Sequence, residues 1–96
     1  MQIDFISPEK VLMLHDIEYF VIDTYVGQQT ILPNHADMLV FFDDTELLLH
    51  SQETYRFNIG KGFLLINNHT IQIISASLEV PKALLESQKN SKGNDL

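Results

Sequence analysis

A chain of 96 residues has room for one domain with a single packed core, and 45% hydrophobic with 20% charged residues is the composition of a folded globular protein. No apolar run approaches the roughly 20 residues a bilayer-spanning helix needs. The start, Met1-Gln2-Ile3-Asp4-Phe5, lacks the basic and apolar regions of a secretion signal, which points to a cytoplasmic chain, and the absence of cysteine removes disulfides, thiol nucleophiles and thiolate metal sites.

The formal charge of −7 sits in the first half, where residues 1–48 carry nine acids against Lys10 alone while residues 49–96 carry four acids against five bases. A surface of that sign repels nucleic acid and anionic headgroups, and suits a neutral or basic protein partner.

Apolar residues recur with a period near two from the start of the chain. Ile3 and Phe5, then Val11 and Met13, flank a Ser7-Pro8-Glu9 turn and predict two short strands. Ile17 to Asp23 alternates on both parities, as in a strand covered on each face. Gly27-Gln28-Gln29-Thr30 reads as a polar loop leading into Ile31-Leu32 and Pro33, and Met38 to Phe42 is an apolar run of strand length closed by Asp43-Asp44. Leu47 with Leu49, Tyr55 to Ile59, Phe63 to Ile66 and Ile71 to Ser75 follow, separated by turn signals at Ser51-Gln52-Glu53, Gly60-Lys61-Gly62 and Asn67-Asn68-His69. Short strands rich in Ile, Phe, Val and Tyr imply an antiparallel sandwich or barrel. Pro81 to Gln88 predicts one or two helical turns, with a frayed polar tail from Lys89. The domain reading is therefore a β-domain over residues 1–80 and a helical stub with a disordered tail over 81–96.

Catalytic chemistry finds little to work with. His15, His35, His50 and His69 lack the two- to four-residue spacing of a local metal motif, and the acid–imidazole pairs His35/Asp37 and His15/Asp16 read more simply as turn or interface hydrogen bonding. Asp43-Asp44 reads as turn chemistry rather than as a cation site. Ser7, Ser51, Ser75 and Ser77 have no nucleophile elbow, and Gly60-x-Gly62 lacks the remainder of a phosphate loop. On its residues alone, the chain reads as a small non-catalytic β-domain that presents a surface to another protein.

The string Gly27-x-x-x-Ile31-Leu32-Pro33-x-His35-Ala36, preceded by Ile6-Ser7-Pro8-Glu9 and followed by Gly60-x-Gly62-Phe63, resembles the N-terminal domain of the epsilon subunit of F-type ATP synthases. The likeness covers residues 2–79 in order. It implies a flattened antiparallel β-sandwich of about ten short strands, seated in the central stalk between the gamma subunit and the membrane c-ring.

By that resemblance Gln28, Gln29 and Thr30 fall on c-ring-facing positions, and Ser7, His35 and Val40 on gamma-facing ones. The implied role is a peripheral, cytoplasmic-face rotor subunit of a bacterial membrane complex. It has no catalytic, cofactor or metal residues of its own, and it couples ion-driven rotation to ATP synthesis and hydrolysis elsewhere.

Thr30 replaces the family's usual second glycine, Asp37 its proline after His-Ala, Asp23 a proline before Thr24, and Lys61 interrupts Gly-Gly. The C-terminal helical hairpin is represented only by the stub, so hairpin-mediated inhibition and ATP sensing are expected to be absent. Two other readings stand beside this one: a cupin-like metalloenzyme using His35, Asp37 and His69, and a freestanding β-sandwich adaptor.

Overall fold

The computed structural model describes residues 1–93. They form β1 (Ile3–Ile6), β2 (Val11–Leu14), β3 (Tyr19–Thr24), β4 (Gly27–Ile31), β5 (Met38–Phe42), β6 (Thr45–Ser51), β7 (Glu53–Ile59), β8 (Gly62–Asn67), β9 (Thr70–Ser75) and α1 (Lys82–Gly93). The strands make a five-stranded sheet, ordered β2-β1-β9-β8-β5, and a four-stranded sheet, ordered β4-β3-β6-β7. We call these sheets A and B. Pairing is antiparallel except between β1 and β9, which run parallel.

Period-two alternation gives each sheet one inner face, and the two inner faces share one core. Sheet A contributes Ile3, Phe5, Leu14, Val40, Phe42, Leu64, Ile66, Ile71 and Ile73, while sheet B contributes Phe20, Ile22, Ile31, Leu47, Leu49, Tyr55, Phe57 and Ile59. Phe5 meets Phe57 across the sandwich with ring centroids 6.4 Å apart. Their rings are tilted, the arrangement aromatic quadrupoles prefer.

The turns follow their residues. Asn68 (φ 52°) and His69 (φ 68°) both take left-handed backbone between β8 and β9, the two-residue connection whose twist matches a hairpin. Gly62 has a different reason: a Cβ there would collide with the Ile74 carbonyl, so only glycine lets β8 approach β9 at that point. This accounts for the second glycine of the Gly60-Lys61-Gly62 signal.

Three expectations are corrected. Gln28 to Thr30 are not loop: they pair with Asp23 to Val21 in the β3–β4 hairpin, whose connection is Tyr25-Val26. The β3 strand starts at Tyr19 rather than Ile17, because Asp16 turns the chain with φ 59° while the Ile17 carbonyl accepts from the Met1 ammonium at 2.7 Å. The helix passes Gln88 and reaches Gly93. Leu84 anchors it in the core, and the Gln88 carboxamide pins it by accepting from the His15 N–H at 2.8 Å and donating to the His15 carbonyl at 2.9 Å. The tail beyond Gly93 lies outside the described residues.

Candidate docking surfaces

One outward row of sheet A is apolar across the whole width of the sheet. In register, Phe41 stands beside Phe63, Phe63 beside Ile74, Ile74 beside Ile6 and Ile6 beside Val11, so one row crosses all five strands without a polar side chain. Phe41 and Phe63 lie with ring centroids 5.8 Å apart, and Phe41 and Val11 remain 53% and 70% exposed at the row's two ends. The next row along the strands is Leu39, Leu65, Gln72, Asp4 and Met13, apolar again at both margins. A contiguous exposed apolar patch of this kind marks an interaction site in a soluble protein.

Sheet B is finished differently. One of its outward rows is Thr30, Val21, Leu48 and Arg56, and a second runs Tyr19, His50 and Thr54. Here the polar groups satisfy one another. His50 sits 3.0 Å from the Glu18 carboxylate and 2.8 Å from the Thr54 hydroxyl, stacked on Tyr19 at 5.2 Å, and Arg56 reaches Glu46 at 3.3 Å.

A third feature is the tip of the β3–β4 hairpin, where Tyr25 and Val26 are 71% and 70% exposed. The Tyr25 N–H donates to the Phe41 carbonyl at 3.0 Å, which ties this tip to the edge of sheet A. Gln28, just beyond it, donates to Asp23 at 3.3 Å on the exposed hairpin.

The residues singled out from sequence are dispersed over these features. Gln28 and Thr30 project outward on β4, with Gln29 half-buried between them. Ser7 closes the β1–β2 turn, its N–H donating to the Lys10 carbonyl at 2.9 Å, next to Ile6 of the apolar row and lining one shallow depression with Phe63 and Ile74. His35 is half-buried beside the opposite end of β5, with Nδ1 2.8 Å from the Ala36 carbonyl. Val40 points into the core at 5% exposure, so the outward positions on that strand are Leu39 and Phe41.

Sequence reading missed this face because Met38 to Phe42 is apolar on both parities, which leaves its outward side undefined. Asp37, the departure from the family's proline, holds a backbone partner: its Oδ1 accepts from the Asn68 N–H at 3.0 Å. Among the described residues no three His, Cys, Asp or Glu side chains gather to hold a metal ion, and no helix is long and apolar enough to cross a membrane.

By fold and surface the molecule is a two-sheet β-sandwich carrying a wide apolar outer face. Residues 1–81 match the family described as the ATP synthase, Delta/Epsilon chain, beta-sandwich domain, and the chain belongs to that family. It is similar to the ATP synthase epsilon chain of Chloroflexus aggregans, at 24% identity over 80 residues, covering 82% of this chain and 58% of the relative. The chloroplastic epsilon chain of Tetradesmus obliquus is 25% identical over 100 residues, covering 98% of this chain and 74% of that one. That of Cyanidium caldarium is 29% identical over 86 residues, covering 88% and 65%. The chain thus spans 58% of the Chloroflexus aggregans relative and 62% of its Clostridium acetobutylicum counterpart. Its fold is shared with a chain in the cryo-EM structure of the Tetrahymena thermophila mitochondrial ATP synthase central stalk and c-ring, with a TM-score of 0.72 at 12% identity over 98% of this chain and 90% of that chain.

Proposed function

We propose that this protein is a rotor-side, central-stalk subunit of an F-type ATP synthase that binds the gamma subunit and the c-ring. The observation that carries the reading is the unbroken apolar row on the outside of sheet A, which suits a large, permanent protein contact better than a transient one. Gamma docks on that face, with Ser7 and His35 at its margins. The gamma-facing role expected of Val40 passes to its outward neighbours Leu39 and Phe41.

The c-ring meets the β3–β4 hairpin, where Tyr25 and Val26 form the tip and Gln28, Gln29 and Thr30 the adjoining strand. Uncharged amides there exchange hydrogen bonds with a partner's loops without burying an unpaired charge. The contribution to ATP synthesis and hydrolysis is mechanical coupling, with the chemistry in other subunits. The protein sits at the cytoplasmic face of a bacterial membrane, reaching the bilayer through the ring. Residues 1–80 act as the docking unit, and 81–96 as an appendage to it.

The test is native purification of the rotary complex from the source cells. This chain is expected to co-migrate with gamma and the c-ring in stoichiometric amount. An intact, coupled complex that lacks it would sink the proposal.

A further inference from the structure

The two edges of sheet A are closed unequally. Beyond β2, the Gln88 carboxamide meets the His15 N–H and carbonyl as a neighbouring strand would. At the other edge β5 reads Met38-Leu39-Val40-Phe41-Phe42, with none of the charges or prolines that ordinarily blunt an exposed strand.

Which backbone groups this edge presents follows from the ladder. The two-residue β8–β9 connection makes Asn67 and Thr70 a hydrogen-bonded pair, so Phe63 and Leu65 bond to β9 while Gly62, Leu64 and Ile66 bond to β5. Met38, Val40 and Phe42 are therefore turned toward β8, and Leu39 and Phe41 away from it. The Tyr25 N–H, donating to the Phe41 carbonyl, agrees with that parity. The hairpin takes that one acceptor and leaves the Leu39 N–H and carbonyl and the Phe41 N–H facing outward.

We infer that β5 is a strand-addition site: the partner docked on the outer face of sheet A supplies an extended segment that pairs with Leu39 and Phe41 and continues the sheet. The segment carries apolar side chains at alternate positions to cover Leu39 and Phe41, and Lys or Arg at both ends. The flanking charge comes from Asp37 before the strand and Asp43-Asp44 after it. Each of these carboxylates accepts a neutral backbone N–H, from Asn68, Asp44 and Lys61 respectively, which leaves the negative charge in place. The same charges disfavour a second copy as the occupant. Antiparallel self-pairing centred on Val40 sets Asp37 of one copy opposite Asp43 of the other, twice over.

The inference rests on the gamma-docking reading, and the test separates the two. Amide hydrogen exchange is measured on the free chain and on its complex with the gamma subunit of the same organism. In the free chain Val40 and Phe42 exchange slowly and Leu39 and Phe41 fast; in the complex Leu39 and Phe41 become slow. A formed complex in which they still exchange fast overturns strand addition and leaves docking intact, whereas no complex at all overturns both.

Leu39→Pro, which removes an outward N–H without breaking a bond to β8, is expected to weaken binding about tenfold, while Leu39→Val, which trims the side chain but keeps the N–H, keeps most of it. Equal binding by the two variants counts against a backbone contact. Sedimentation of the free chain is expected to show a monomer, and a dimer lost on Leu39→Pro would assign the edge to self-pairing instead.

Discussion

The inner faces of the two sheets are built alike, and their outer faces are not. Sheet A turns Phe41, Phe63, Ile74, Ile6 and Val11 outward, while sheet B turns out Thr30, Arg56, His50 and Thr54 among a few aliphatics, with His50 bonded to Thr54 and Arg56 to Glu46. Folding alone requires only one buried face per sheet. The second apolar face of sheet A adds nothing to the isolated core and exposes the chain to aggregation, so its explanation lies in contact with another molecule.

The largest effects belong to what the sheets share. Phe5 in sheet A and Phe20 in sheet B are both fully buried. Truncating either to alanine removes a large side chain from a closed core and is expected to cost about 3–5 kcal/mol, measured by denaturant unfolding of the free chain. Clearly unequal costs would break the symmetry of the inner faces and mean that one sheet depends on its partner for stability.

The outer faces are expected to separate cleanly. Phe41→Asp puts a charge in the apolar row and is expected to weaken gamma binding by about 2 kcal/mol or more, as at an interface hot spot. Arg56→Ala on sheet B loses only an exposed ion pair with Glu46, so binding is expected to stay unchanged and stability to fall by no more than about 0.5 kcal/mol. Titration of both variants against gamma decides it; the reverse ranking would move the docking face to sheet B.

The contrast also shows what could be read from the sequence. Strand positions followed from turn chemistry at Ser51-Gln52-Glu53, Gly60-Lys61-Gly62 and Asn67-Asn68-His69, where the local backbone demand is written in the residues themselves. Outward parity was legible on β7, since polar Thr54, Arg56 and Asn58 alternate with apolar Tyr55, Phe57 and Ile59. On β5 it was not, because every residue from Met38 to Phe42 is apolar and only the pairing with β8 fixes which side faces out. The hairpin was misread for a related reason: Gly, Gln and Thr suggest a loop, while the strand pairing of Gln28 with Asp23 is a tertiary choice. The Gln88 contact with His15 joins residues 73 apart, beyond any local signal.

That contact gives the next test. Gln88→Ala strands the His15 N–H and carbonyl in a partly buried position, at an expected cost of about 1–3 kcal/mol. The loss should concentrate in α1, seen as faster amide exchange along Leu84 to Gln88 with the exchange of β3 and β6 unaltered. Uniform destabilisation of the whole chain would mean that the helix belongs to the cooperative core rather than being pinned to it.

The smallest effect on stability, and the one that discriminates most between functions, is at Gln28. Its side-chain amide donates to Asp23 across the hairpin, so Gln28→Glu replaces that bond with two carboxylates side by side on an exposed edge. The expected cost is a few tenths of a kcal/mol, the range of a like-charge cross-strand pair in solvent. Because the free chain stays folded, any larger consequence has to arise at a contact. If the β3–β4 hairpin meets the c-ring, the added charge is desolvated there without a partner, and coupled ATP synthesis should fall while gamma binding through sheet A is unchanged. A variant with normal coupling would remove the hairpin from the ring interface and leave the apolar face of sheet A as the molecule's principal contact.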